Sequence, residues 1–205
     1  MTTTLQAGAA TDTGLLRSHN EDRYWMDPDA GIFLVVDGMG GQAAGELAAE
    51  TALTAIRECL AQRAGDTTEN RLRDAIARAN NRIFALGQEH PGFAGMGCVL
   101  TLALVEDGRI TIGHVGDSRL YLIRKGALRK LTNDHSPVGE SEDAGELDEQ
   151  DAMQHPRRNE VFRDVGSRAR QQIEALLGTP VYLDLHVKVA KDWQRDPKQL
   201  RKLGF

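Results

Sequence analysis

The sequence predicts an α+β domain in which helices pack against antiparallel sheets, and three observations predict it. Ile32-Phe33-Leu34-Val35-Val36 is a short continuous apolar run that reads as a strand buried on both faces. Two amphipathic stretches follow, the first through Leu47, Thr51, Ile56 and Leu60, the second through Leu72, Ala75, Ile76, Ala79, Ile83 and Leu86. From Cys98 to Leu131 the apolar period shortens, as a meander of strands requires.

Each element has its own punctuation. The buried strand ends at Asp37-Gly38-Met39-Gly40-Gly41. Residues Thr67 to Asn70 can open the second helix, and Gly87 stands where a C-terminal cap is expected. Val99–Val105 and Arg109–Val115 meet across Asp107-Gly108, a two-residue hairpin signal. Arg119–Arg124 and Leu128–Leu131 form a second pair around Lys125-Gly126. Residues 139–151 then hold seven acids and no base, which reads as a solvated loop or short helix.

Beyond Phe162 the pattern changes. Ser167 can cap a helix through Ala169, Ile173, Leu176 and Leu177, closed by Gly178. Residues Val181 to Val189 alternate apolar and polar as a one-faced strand does, and Asp196-Pro197 can start a last short helix. Charge divides at the same place: 16 Lys and Arg against 25 Asp and Glu in residues 1–160, then 9 against 5. An acidic body thus precedes a basic tail. No apolar run approaches the ~20 residues of a membrane span, and the N-terminus lacks the basic and apolar parts of a secretory signal. Cys59 and Cys98 form no ligand-spaced pair and read as buried thiols of a reducing, cytoplasmic compartment.

Three acidic motifs could carry chemistry. Glu21 and Asp22 are adjacent and lie near Arg17; Asp37 closes a strand into a glycine-rich turn; Asp117 lies in the turn Gly116-Asp117-Ser118-Arg119. Hard divalent cations take carboxylate, carbonyl and water oxygens. A carboxylate entering a glycine turn can supply the first, and the turn frees a carbonyl as the second. Taken singly, each motif has an ordinary reading as a turn or a surface ion pair.

Taken together, they resemble the PPM (type-2C) metal-dependent Ser/Thr protein phosphatases in their bacterial form. The resemblance is carried by Arg17-Ser18-His19-Asn20-Glu21-Asp22, by Val36-Asp37-Gly38-Met39-Gly40-Gly41 with Ala44-Gly45-Glu46, and by Gly97-Cys98-Val99-Leu100-Thr101. It continues through His114-Val115-Gly116-Asp117-Ser118-Arg119 and Leu131-Thr132-Asn133-Asp134-His135-Ser136. It implies a β-sandwich flanked by helices and two Mg²⁺ or Mn²⁺ ions, with a third, weaker ion. In it Asp37 would bridge two ions, the Gly38 carbonyl would ligate one, and Glu21 or Asp22 would hold the second. Asp117 resembles the acid of the third ion, and Arg17 would grip the substrate phosphate. Phosphorylated Ser/Thr proteins are the implied partners, with hydrolysis by a metal-activated water. Met39 stands where many eukaryotic members have a proposed general-acid histidine, and a thioether cannot supply that proton.

The resemblance covers residues 1–163 and implies an incomplete sandwich. Neither the Ser-Asp-Gly motif nor the Asp-Asn pair that completes the family's first metal site occurs in residues 160–205. Residues 164–205 instead resemble the end of the KH domain of Era-type GTPases, a partial helix–strand–helix. That likeness is carried by Val165 to Arg170, Ile173 to Gly178, Val181 to Val189 and Leu200 to Phe205. The tail lacks the glycine-rich loop that grips RNA in KH domains, so RNA is not an expected partner. The expectation is a phosphatase of reduced activity. The alternative is an inactive phosphatase-like scaffold or an RNA-binding fragment, joined to its tail by natural fusion or by an error of assembly.

Overall fold

The computed structural model describes residues 4–62, 67–158, 160–161 and 188–189. The elements are β1 (Asp22–Asp27), β2 (Ile32–Met39), α1 (Gln42–Ala61), α2 (Thr68–Glu89), a 3-10 turn (Pro91–Phe93), β3 (Gly97–Glu106) and β4 (Arg109–Val115). They continue as β5 (Tyr121–Arg124), β6 (Ala127–Lys130), α3 (Pro137–Asp143), α4 (Glu149–Gln154) and β7 (Lys188–Val189). The described residues fall into two compact units, one ending at His114 and taking in β7, the other starting at Val115.

The first unit is a sheet of order β1-β2-β3-β4-β7 with α1 and α2 packed on it. β1 and β3 both run antiparallel to β2, with Asp22 opposite Asp37 on one side and Val99 opposite Asp37 on the other. β2 buries Ile32, Leu34 and Val36 but leaves Val35 48% exposed, so the expectation of a strand buried on both faces fails here. That description fits β3, the middle strand, whose residues Val99 to Leu104 are all buried. A sheet margin can cover one face where its centre covers two, and periodicity over five residues cannot tell these apart.

α1 approaches the sheet closely because its inner face is small: Ala48, Ala49, Ala52 and Ala55 are fully buried beside Ile56. α2 starts at Thr67, whose hydroxyl accepts a hydrogen bond from the Asn70 amide at 3.3 Å, and buries the predicted stripe from Leu72 to Ile83. It does not stop at Gly87. It runs to Glu89 with His90 as its cap, and Gly87 instead admits the Phe93 carbonyl, 3.3 Å from where a Cβ would stand. Asp107 and Gly108 both have positive φ, the twist that a two-residue hairpin between β3 and β4 demands.

In the second unit, Lys125 and Gly126 turn β5 into β6 with the same pair of positive φ angles. The acidic stretch forms two short helices, α3 capped by Ser136 and α4 capped by Asp148. It is not uniformly solvated, because the Glu142 side chain is 10% exposed and pairs with Arg119 and Lys130. An unpaired acid there would be costly, and two cations offset its burial. The helix and strand expected at residues 164–187, the last helix, and any RNA-binding role of that segment lie outside the described residues; Lys188–Val189 alone pairs with β4 there. Among the described residues, no helix is long and apolar enough to cross a membrane.

Candidate metal centre

The first acidic motif lies where a tied loop enters β1. The Asn20 amide donates to the Thr11 hydroxyl at 2.7 Å, closing residues 11–20 into a loop, and the Gly14 amide donates to Asp12 at 2.7 Å. Asn20 also accepts from the Asp22 amide at 2.9 Å. Arg17 stands exposed on this loop, outside any ion pair among the described residues. Such a cation keeps its guanidinium available to an arriving anion.

Arg23 fixes the loop to α1. Its guanidinium reaches Glu46 at 2.6 Å, Glu50 at 3.0 Å and the Asn20 carbonyl at 3.0 Å. Glu46 and Glu50 are one turn apart on α1, so a single side chain spans strand, loop and helix. Asp22 and Arg23 are adjacent in the sequence. Arg23 instead takes the two helix acids and leaves the Asp22 side chain to the opposite face of β1.

Asp37 leaves β2 directly across from Asp22, with both side chains exposed. The next residue, Gly38, donates its amide to the Glu21 carbonyl at 3.2 Å. A Cβ on Gly38 would lie 2.0 Å from the Gly45 carbonyl, which no side chain could tolerate. A Cβ on Gly45 would lie 2.6 Å from Glu21 Oε2 and 3.1 Å from the Gly38 carbonyl oxygen. Two oxygens, a carboxylate and a main-chain carbonyl, therefore converge on one point that Gly45 keeps clear. This is a cradle that a Cβ would fill, and its donor set is the oxygen set hard cations select.

The residues present thus fit part of a Mg²⁺ or Mn²⁺ site. Among the described residues, no three His, Cys, Asp or Glu side chains come together as a metal cluster. Cys98 stands opposite Gly38 in the ladder, where burial and then the Asp37 charge push its thiol up to about 12.

Asp117 belongs to the second unit. Burial foremost, with the neighbouring Asp134 charge, raises its carboxyl above the ordinary range, against the opposing pull of Arg158 and Arg119. It lines a cavity of about 260 Å³ with Arg119, Asp134, Met153 and Arg158.

The turn that carries Asp117 is held by residues quoted as motif but given no role from sequence. Arg119 Nε donates to both oxygens of Asp134, at 3.0 and 2.9 Å, while Nη2 reaches Asp134 at 2.5 Å and Glu142 at 3.2 Å. Gly116 and His135 exchange two bonds: the His135 amide donates to the Gly116 carbonyl at 2.7 Å, and the Gly116 amide donates to His135 Nδ1 at 3.1 Å. Leu120 donates to the Thr132 hydroxyl at 3.0 Å. The available signal was the pairing of two polar motifs, one glycine-led and one rich in side-chain acceptors.

The sequence profile of the family described as protein phosphatase 2C matches residues 10–144. The Ser/Thr phosphatase Stp of Listeria monocytogenes is 34% identical over 180 residues, covering 84% of this chain and 71% of that protein. The crystal structure of the PPM Ser-Thr phosphatase MsPP of Mycobacterium smegmatis with cacodylate superposes with a TM-score of 0.69 at 31% identity, covering 92% of this chain and 72% of that one. The catalytic domain of the phosphatase PstP, solved with two manganese ions, gives a TM-score of 0.67 at 29% identity, covering 88% and 70%.

Proposed function

The chain belongs to the protein phosphatase 2C family, and on that premise we propose that it hydrolyses phosphoserine and phosphothreonine esters of proteins with the help of Mg²⁺ or Mn²⁺. The observation that carries this reading is the convergence of the Glu21 carboxylate and the Gly38 carbonyl over Gly45, beside the facing acids Asp22 and Asp37. Glu21, Asp22, Asp37 and the Gly38 carbonyl would hold the two principal cations, and Asp117 a third. Bound there, a divalent cation lowers the pKa of a coordinated water and stabilises charge that develops on the phosphoryl oxygens.

The chain's own residues do the rest. Arg17, exposed on the tied loop, binds the substrate phosphate, where its planar fork can take two oxygens. The Asn20 and Arg23 bonds hold that loop against β1 and α1, so the phosphate-binding cation and the acids keep one spacing. Met39 offers no proton to the leaving serine or threonine oxygen, so that proton comes from water or another group.

The test is phosphate release from a phosphothreonine peptide with and without Mn²⁺. The expected result is Mn²⁺-dependent release that falls at least a hundredfold in Asp37→Asn. Release that persists in excess chelator, or that ignores Asp37→Asn, overturns the reading.

A further inference from the structure

Three successive carbonyls, those of Asn20, Glu21 and Asp22, are held where the chain enters β1. One nitrogen of Arg23, Nη1, donates to the first at 3.0 Å and to the third at 2.8 Å. The middle one accepts the Gly38 amide at 3.2 Å. The main chain of Glu21 is therefore fixed on both sides and at its own carbonyl.

The rest of the same guanidinium ends on α1. Nη2 donates to Glu46 at 2.6 Å and Nε to Glu50 at 3.0 Å. Glu46 directly follows Gly45, the residue over which Glu21 Oε2 and the Gly38 carbonyl converge. A guanidinium is planar and its N–H groups point in fixed directions, so neither segment can shift against the other without breaking one of these bonds. The stability at stake is small. Arg23, Glu46 and Glu50 have side chains 25%, 46% and 55% exposed, and ion pairs this wet contribute little. What the bonds supply is placement: one side chain ties the residue that carries the cradle's carboxylate to the helix that carries its floor.

From this geometry we infer that Arg23 is a positioning residue for the Glu21 carboxylate: it sets the gap between Glu21 and the Gly45 turn of α1, and so holds the two oxygens of the cradle at the spacing a divalent cation needs. The inference rests on the reading of Glu21 and the Gly38 carbonyl as cation ligands. It carries a sign opposite to that of charge alone. A guanidinium near a cation site repels the cation, so by Coulomb's law its removal tightens binding. Loss of positioning loosens binding, and residues that orient metal ligands typically change affinity about 10–100-fold when replaced.

The experiment is Mn²⁺ titration of the full chain by calorimetry, with a thermal melt in chelator for every variant. Glu21→Gln is the reference and should lose the Mn²⁺ site that Glu21 holds. Arg23→Ala and Arg23→Lys should each weaken that site about tenfold, because an ammonium keeps the charge but not the fork. Glu46→Ala should weaken it as well. Glu46→Gln loses the same charge but keeps an acceptor oxygen, and should bind nearly as the wild type does. Arg71→Ala, which removes the pair with Glu106 elsewhere in the same unit, is the control for stability: it should lower the melting temperature and leave Mn²⁺ affinity unchanged. An Arg23→Ala chain that binds Mn²⁺ as well as the wild type, or more tightly, overturns the inference. So does an Arg71→Ala chain that weakens the site equally, or a Glu46→Gln chain no better than Glu46→Ala. If Glu21→Gln titrates like the wild type, the reading of Glu21 as a ligand fails first, and the inference falls with it.

Discussion

Asp22 of β1 and Asp37 of β2 occupy directly opposed positions in an antiparallel pair, both exposed on the same face. Like charges so placed repel, at a cost of roughly 0.2–1 kcal/mol. A cation between or beside them turns that cost into binding. Asp37→Asn should therefore raise the melting temperature of the metal-free chain slightly. It should also abolish the rise that Mn²⁺ gives the wild type, about 2.7 kcal/mol at a hundredfold excess over Kd. Melts with and without chelator measure both; an undiminished Mn²⁺ shift in the variant would contradict the assignment.

A side chain at Gly45 would meet the end of the Glu21 side chain. Gly45→Ala puts a methyl 2.6 Å from Glu21 Oε2, so either Glu21 moves or α1 does. We expect a loss of about 1–3 kcal/mol from overpacking, and at least tenfold weaker Mn²⁺ binding. Gly92→Ala, where nothing lies within 4 Å of the new methyl, is the control and should change neither. Equal effects at the two positions in calorimetry would argue against a cradle.

The ion pairs of the second unit should differ sharply in weight. Arg119 and Asp134 are 10% and 8% exposed in their side chains, so Arg119→Ala strands a buried carboxylate and should cost about 3–5 kcal/mol. Burial alone would lower the Arg119 pKa, yet its bonds to Asp134 and Tyr121 raise it, so the guanidinium stays charged throughout the accessible range. Arg157 and Glu160 are 60% and 54% exposed, and Arg157→Ala should be silent in a urea melt. A silent Arg119→Ala would show that the network is replaceable by water.

Asp117 should make stability depend on pH in a direction opposite to most acids. Its carboxyl titrates higher folded than unfolded, because burial disfavours the charged form. The folded state then binds the proton more tightly. The penalty is absent below the unfolded value of about 3.9 and fully present above the raised folded value. In chelator, Asp117→Asn should melt higher than the wild type at pH 7 to 8, and the advantage should vanish toward pH 3. An advantage that persists at pH 3 would mean that the carboxyl's charge is not the cause.

The sequence showed the helices, hairpins and acidic motifs because each carries a local signal. Asp107-Gly108 and Lys125-Gly126 act within two residues, and the α2 stripe recurs from Leu72 to Ile83. It did not show β1, whose residues Asp22 to Asp27 mix charge, aromatic and Met without clean alternation, since the strand is an edge paired on one side. It also did not show why Gly45 is glycine. That reason lies in Glu21 and Gly38, separated from it by 24 and 7 positions and joined only in the fold. Arg119 was visible as a residue, but its partners Asp134 and Glu142 had to be brought together by the turn before any charge balance could be counted.

The contact between Gly38 and Gly45 also says how this domain can vary. With main chain against main chain, the end of β2 and the first turn of α1 meet as two machined faces with no gasket between them. Packing elsewhere can absorb a changed side chain by shifting another, but here there is no side chain to shift. The outer surface of α1 is therefore free to drift in sequence, while its starting point is pinned to a fraction of an ångström. The helix serves as a fixed datum from which the placement of Glu21 is inherited.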